Sequence, residues 1–180
     1  MWMARQFGAR IEWLPFYLHP EYPAEGIPRA DLIARVGADR DAGVRRMVEE
    51  CGFTYNPPPD VVPNSRLAQE VTELARDLGL HDQVHARLMD GYWAEAQNIG
   101  DEDTLLRLVA EAGLDRDAAA EVLADGRYGA RVEESTRHAN ALGIHAIPSF
   151  VIDNRLLLVG AYPKAVFEQA FAQLAEEAPR

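Results

Sequence analysis

Gly143-Ile144-His145-Ala146-Ile147-Pro148-Ser149-Phe150-Val151-Ile152 opens the stretch that decides the fold, and Asp153-Asn154-Arg155-Leu156-Leu157-Leu158-Val159-Gly160-Ala161 completes it. Upstream of Gly143 the apolar residues recur at helical spacing. Downstream they form two short runs, 150–152 and 156–159, parted by Asp153-Asn154-Arg155. Apolar runs flanking a polar turn predict a β-hairpin. Pro148 stands at the hairpin's entrance, where a residue without an N–H takes nothing from the ladder. Beyond it, Val166, Phe167, Ala170, Phe171 and Leu174 are spaced as the core-facing stripe of a final helix.

Working back toward the amino end, the pattern is helical. Residues 128–142 form one helix closed by Gly143, and a shorter one begins at Asp115 or Asp117 and ends at Asp125-Gly126. Asp101 is placed to cap a helix with the face Leu105, Leu108, Val109 and Ala112, stopped by Gly113. Val84, Leu88 and Tyr92 mark another, and Leu67, Val71, Leu74 and Leu78 another, with Asn64 or Ser65 as its N-cap. The prolines of Asn56-Pro57-Pro58-Pro59 make a stiff spacer ahead of this helical region. Two further helices are expected over 30–36 and 41–50, after a loop holding His19, Pro20, Tyr22, Pro23, Gly26 and Pro28. Residues 10–18, with Ile11, Trp13, Phe16, Tyr17 and Leu18, read as a buried strand.

The chain has 180 residues, 29 of them acidic and 18 basic, for a net charge of -11. One domain accommodates that length. Such a charge repels phosphate backbones and anionic membrane surfaces, so neither nucleic acid nor membrane is expected as a partner. No apolar run approaches the ~20 residues of a membrane span, and the first residues lack the pattern of a secretory signal. Cys51 is the single cysteine and forms no intrachain disulfide. A cytoplasmic location is expected.

The 143–152 stretch, with Val159-Gly160-Ala161 and the final helix, resembles the closing ββα unit of the DsbA family of thioredoxin-fold oxidoreductases. The likeness is nearest to the FrnE-like branch. It extends through Phe16-Tyr17-Leu18-His19-Pro20, Asn56-Pro57-Pro58, Pro63-Asn64-Ser65-Arg66-Leu67-Ala68 and Ile99-Gly100-Asp101, and so covers nearly the whole chain. The resemblance implies an α/β, thioredoxin-like, DsbA-type fold in a single domain, 1–180. Its thioredoxin parts are then about 1–28 and 143–180, with a large helical insertion over about 29–142.

The resemblance also implies a cis Ile147-Pro148 bond and a substrate groove lined by His145, Ile147, Pro148, Ala161 and Tyr162. The implied partner is a thiol- or disulfide-containing protein or small molecule. Family members place Cys-x-x-Cys at the start of their first helix, where the helix N-terminus stabilises the thiolate. Residues 2–7 correspond to the tail of that helix, so the preceding βα unit and both thiols fall ahead of Met1. No catalytic residue is therefore expected within these 180, and the chain as it stands is expected to be redox-inactive. The strand ahead of Met1 would lie centrally in the sheet, so a homodimer or a borrowed strand is an expected remedy. Two alternatives stand beside this reading. One is a non-catalytic thioredoxin-fold binding module; the other is a relative of glutathione-dependent isomerases and transferases, for which glutathione would be the cofactor and none is otherwise implied.

Other chemistry is weaker. Cys51 follows Glu49 and Glu50 near a helix C-terminus, away from the helix N-terminus that activates redox cysteines. His81 and His85 share a helix face, but two ligands do not make a metal site. His138 reads as solvated, and His19-Pro20 as a turn. Ser149 has no base and acid at recognisable spacing, and the glycines are scattered helix stops rather than a phosphate loop.

Overall fold

The computed structural model describes residues 2–56 and 59–176, and of residues 38–41 the backbone only. Pro57 and Pro58 of the expected spacer lie outside the described residues. The elements run in the order α1 (Trp2–Phe7), β1 (Ile27–Pro28), α2 (Arg29–Val36), α3 (Ala38–Glu50), β2 (Val61–Val62), α4 (Arg66–Asp77), α5 (His81–Trp93), α6 (Glu102–Glu111), α7 (Arg116–Asp125), α8 (Gly129–Ala141), β3 (Ser149–Ile152), β4 (Leu156–Val159) and α9 (Lys164–Glu176). They gather into two compact units, one of Met1–Leu18 with Ser135–Arg180 and one of His19–Glu134.

The first unit is built on the antiparallel β3–β4 hairpin, with Phe150 opposite Leu158 and Val151 opposite Leu157. Asp153 and Asn154 make the turn at φ 54° and 52°, the left-handed values that a primed hairpin turn needs at both centres. Phe150 meets Phe167 of α9 edge-on at 4.9 Å, and Phe171 of α9 stacks on Phe7 of α1 at 4.1 Å. These ring pairs are where the hairpin and α1 are packed against α9.

Residues 10–18 do not form the expected strand. A strand needs a neighbour to ladder with, and here the backbone bonds to side chains instead. Tyr17 N–H donates to Thr136 Oγ1 at 2.8 Å, the Pro15 carbonyl accepts from Ser135 Oγ at 2.7 Å, and Pro15 itself has no N–H to offer. Tyr17 is buried, but Trp13 and Leu14 are 37% and 66% exposed.

The second unit is helical. Val71, Leu74, Val84, Leu88, Leu105, Leu108, Val109 and Val122 from α4, α5, α6 and α7 form one buried cluster. Capping follows the sequence: Asp101 accepts from Thr104 N–H and Asp115 from Ala118 N–H, and Gly126 closes α7 in the left-handed conformation. Ser65 precedes α4 without a capping bond; Asn64 Oδ1 takes the Arg66 N–H instead.

The two compact units part after Leu18 and before Ser135. Residues 19–28 belong with the helices because Asn64 Nδ2 donates to the Tyr22 carbonyl at 2.8 Å and Ile27 pairs with Val62. The last turns of α8 hold residues 15 and 17 through Ser135 and Thr136, within the first unit.

Candidate functional site

The loop between α8 and β3 is set by how α8 ends. Gly143 adopts φ 81° and donates to the Asn140 carbonyl, while Ile144 N–H reaches the Ala139 carbonyl. These two bonds make a Schellman stop, and the buried Ile144 anchors it. The chain then turns outward through His145, Ala146, Ile147 and Pro148, all exposed. Ser149 Oγ donates to the Ala146 carbonyl at 2.7 Å, a bond that braces the loop and occupies the hydroxyl. The Ile147-Pro148 peptide bond is cis.

The Pro148 carbonyl accepts from Gly160 N–H at 2.8 Å. This bond continues the β3–β4 ladder one step past the Ser149–Val159 pair, so Ala161 and Tyr162 leave the hairpin at the end where Ile147 and Pro148 enter it. His145 donates through Nδ1–H to Asn140 Oδ1 at 3.2 Å, which turns its imidazole back toward α8. All five expected groove residues thus lie around one end of the hairpin, within the first unit.

The surface there is apolar. Ile147 is 52% exposed and Tyr162 46%, and the outward hairpin face adds Val151 and Leu157, which pair across the strands. The Ile147 N–H and carbonyl have no hydrogen-bond partner among the described residues. An exposed apolar side chain beside unpaired backbone groups is the combination that recruits an extended peptide by strand addition.

The other candidates separate from this site. Cys51 is exposed and forms the C-cap of α3 in the helical unit. The His81 and His85 rings lie parallel with centroids 5.6 Å apart, and burial, then the neighbouring His81, holds the His85 imidazole below its ordinary pKa. Among the described residues no group of three or more His, Cys, Asp or Glu converges on a metal position. None of the helices among the described residues is long and apolar enough to cross a membrane.

The sequence reading missed two features. Glu70 and Glu73 of α4 are both 2% exposed, paired with Arg66 and Arg76 respectively. Spacing of three or four between acid and arginine was the available signal. The other is a concave site between α2 and the 19–28 loop, lined by Glu21, Tyr22, Ile27, Asp31 and Arg35.

Known proteins fit this geometry. An uncharacterized protein of Bacillus subtilis (strain 168), YwbO, is 29% identical over 164 residues, covering 90% of this chain and 80% of its own. The crystal structure of a probable DsbA oxidoreductase from Streptomyces coelicolor superposes with a TM-score of 0.83 at 26% identity, over 92% of this chain and 75% of that one. A 2-hydroxychromene-2-carboxylate isomerase shares the fold, with a TM-score of 0.70 at 18% identity over 97% of this chain and 86% of that one. With an α/β thioredoxin-like fold carrying a helical insertion, and a sequence match to the family over residues 2–172, the chain belongs to the DSBA-like thioredoxin domain family.

Proposed function

We propose that this chain is a thiol–disulfide oxidoreductase of the FrnE-like kind by lineage that, with one cysteine and no Cys-x-x-Cys among its residues, holds substrate without dithiol turnover. Ile147, Pro148, Ala161 and Tyr162 bind an extended, cysteine-containing segment of a protein or small-molecule substrate, with His145 at the rim. The observation that carries the reading is the loop itself: unpaired Ile147 backbone groups beside exposed apolar side chains, at the entrance of a hairpin in a DSBA-like chain. The Streptomyces coelicolor relative, a probable DsbA oxidoreductase, supports the same chemistry.

Thiol–disulfide exchange needs an attacking thiolate, which forms a mixed disulfide and releases one substrate sulfur, and a second thiol that resolves it. These 180 residues hold one cysteine. The polypeptide alone therefore binds substrate without dithiol turnover, and Cys51 takes no part. A single cysteine suits a reducing compartment such as the cytoplasm.

The test is an insulin-reduction assay on the 180-residue polypeptide, paired with an amide-resonance titration against a short peptide carrying an S-methylthio cysteine. We expect no turnover, and shifts confined to residues 145–149 and 160–162. Measurable reduction, or peptide-induced shifts centred elsewhere, overturns the proposal. Saturable glutathione binding at the same residues would instead favour the glutathione-dependent branch.

A further inference from the structure

We infer that the helical unit carries a separate site for a small zwitterion: a ligand with one carboxylate and one ammonium group on a short apolar body, as in a free amino acid. A concave site of about 350 Å³ is lined by Glu21, Tyr22, Ile27, Asp31 and Arg35. That volume is at the lower end for small-molecule sites. It is independent of the cis-proline loop and of the proposal made for it.

The two donors are bonded to each other. Arg35 Nη2 donates to Tyr22 Oη at 2.9 Å, and the guanidinium carbon lies 5.6 Å from the centroid of the same ring. Because the tyrosine oxygen accepts that bond, its own hydroxyl proton remains to be donated, along with the other guanidinium N–H groups. Tyr22 is 5% exposed, and its hydroxyl proton has no acceptor among the described residues. A fixed guanidinium beside a phenol hydroxyl is a donor set suited to a carboxylate.

The acceptors line the same site. Asp31 stands four residues before Arg35 on α2, hence on the same side of the helix, and has no hydrogen bond or ion pair among the described residues. Glu21 accepts from His19 Nδ1–H at 2.9 Å. A backbone hydrogen bond, then His19, holds the Glu21 carboxyl below its ordinary pKa, so it is anionic at neutral pH. Two carboxylates with coordination to spare are a setting for an ammonium. Ile27 adds the apolar part of the lining.

The site is built before any ligand arrives. His19 stacks on Tyr22 at 4.3 Å with the rings 3° from parallel. Asn64 holds the Tyr22 carbonyl, Arg29 N–H donates to the Asp60 carbonyl at 2.7 Å, and Gly26 N–H donates to the Pro23 carbonyl at 2.9 Å. Gly26, at φ 81°, lies so close to β2 that a Cβ there would run into the Val62 carbonyl. A wall fixed at this many points costs little to order on binding.

Calorimetry on the 180-residue chain tests this with three probes: L-leucine, N-acetyl-L-leucine, which lacks the ammonium, and L-leucinamide, which lacks the carboxylate. Leucine should bind saturably, and each blocked analogue about tenfold more weakly or worse, the loss expected for one charged hydrogen-bonded group. Arg35→Gln should erase the preference for leucine over leucinamide and keep the preference over N-acetyl-leucine; Asp31→Asn should do the reverse. Tyr22→Phe preserves shape and serves if Arg35→Gln does not fold, weakening leucine several-fold while leaving leucinamide unchanged. Absence of saturation up to about 10 mM leucine, equal affinity for the three probes, or wild-type affinity in the variants overturns the inference.

Discussion

Replacing Gly129 with alanine sets two effects against each other. Gly129 is the first residue of α8 and does not have a left-handed φ, so helix propensity favours alanine by about 0.5 kcal/mol, the low end of the value for a helix interior. The added Cβ, however, would run into Arg66 Nη2 and come within 3.2 Å of Glu70 Oε1. Arg66 Nε donates to Glu70 Oε1 at 2.9 Å, and its Nη1 lies 2.8 Å from Glu133. Glu70 has little else: its side chain is 3% exposed, and Oε2 is buried without a partner among the described residues. Stranding a buried carboxylate by removing its arginine costs about 3–5 kcal/mol.

Arg66 is 39% exposed and swings partly aside, so roughly half that penalty is expected, leaving a net loss of about 1–2 kcal/mol. At about 2–4 °C per kcal/mol for a protein of this size, Tm falls by about 2–8 °C. Thermal and urea unfolding of Gly129→Ala measure it. The decisive comparison is the Arg66→Ala background, where the clash is gone and alanine at 129 should be neutral or stabilising. An equal loss in both backgrounds, or a raised urea midpoint in the single variant, refutes the reasoning.

His85 is held below its unfolded pKa of about 6.5 by burial, so the fold favours the neutral imidazole. Its contribution is full above that value and is lost as pH falls from about 6.5 through the lower folded pKa; His85→Gln should flatten the stability profile there, and an unchanged slope counts against the burial argument. Asp115→Ala removes the acceptor for Ala118 N–H and should cost about 1 kcal/mol in urea unfolding, against no measurable loss if water replaces the cap. Val151 and Leu157 are 47% and 40% exposed on the outward hairpin face. If two copies pair through it, sedimentation velocity should show concentration-dependent association that Val151→Lys with Leu157→Glu abolishes; a parent that sediments as a monomer throughout refutes the pairing.

The helical unit was nearly all legible because its signals are local. Asp101 and Asp115 cap where their positions predict, and the four-three-four spacing of Leu67, Val71, Leu74 and Leu78 falls on α4, with Leu78 one residue past its end. The hairpin was equally plain, its turn written in Asp153-Asn154. What escaped depends on residues far apart in sequence. The two-residue pairing of Ile27 with Val62 carries no periodicity, and nothing local to Tyr22 announces that Arg35 and Asn64 fold onto it. The five groove residues were expected from family likeness rather than spacing; the Gly160 to Pro148 bond beside them is one that no pattern of side chains encodes.

Residues 10–18 show the limit most clearly. Their apolar and aromatic content satisfies every compositional requirement of a buried strand, yet a strand is a relation between two segments, and composition describes only one. With Thr136 and Ser135 as backbone partners, the segment keeps Tyr17 buried while leaving Leu14 66% exposed. Ile147 presents the complementary case: its unpaired amide and carbonyl are competent for a ladder, and its side chain is 52% exposed. Unsatisfied backbone beside apolar surface is tolerable while water reaches it, and becomes a source of affinity when an extended segment excludes that water.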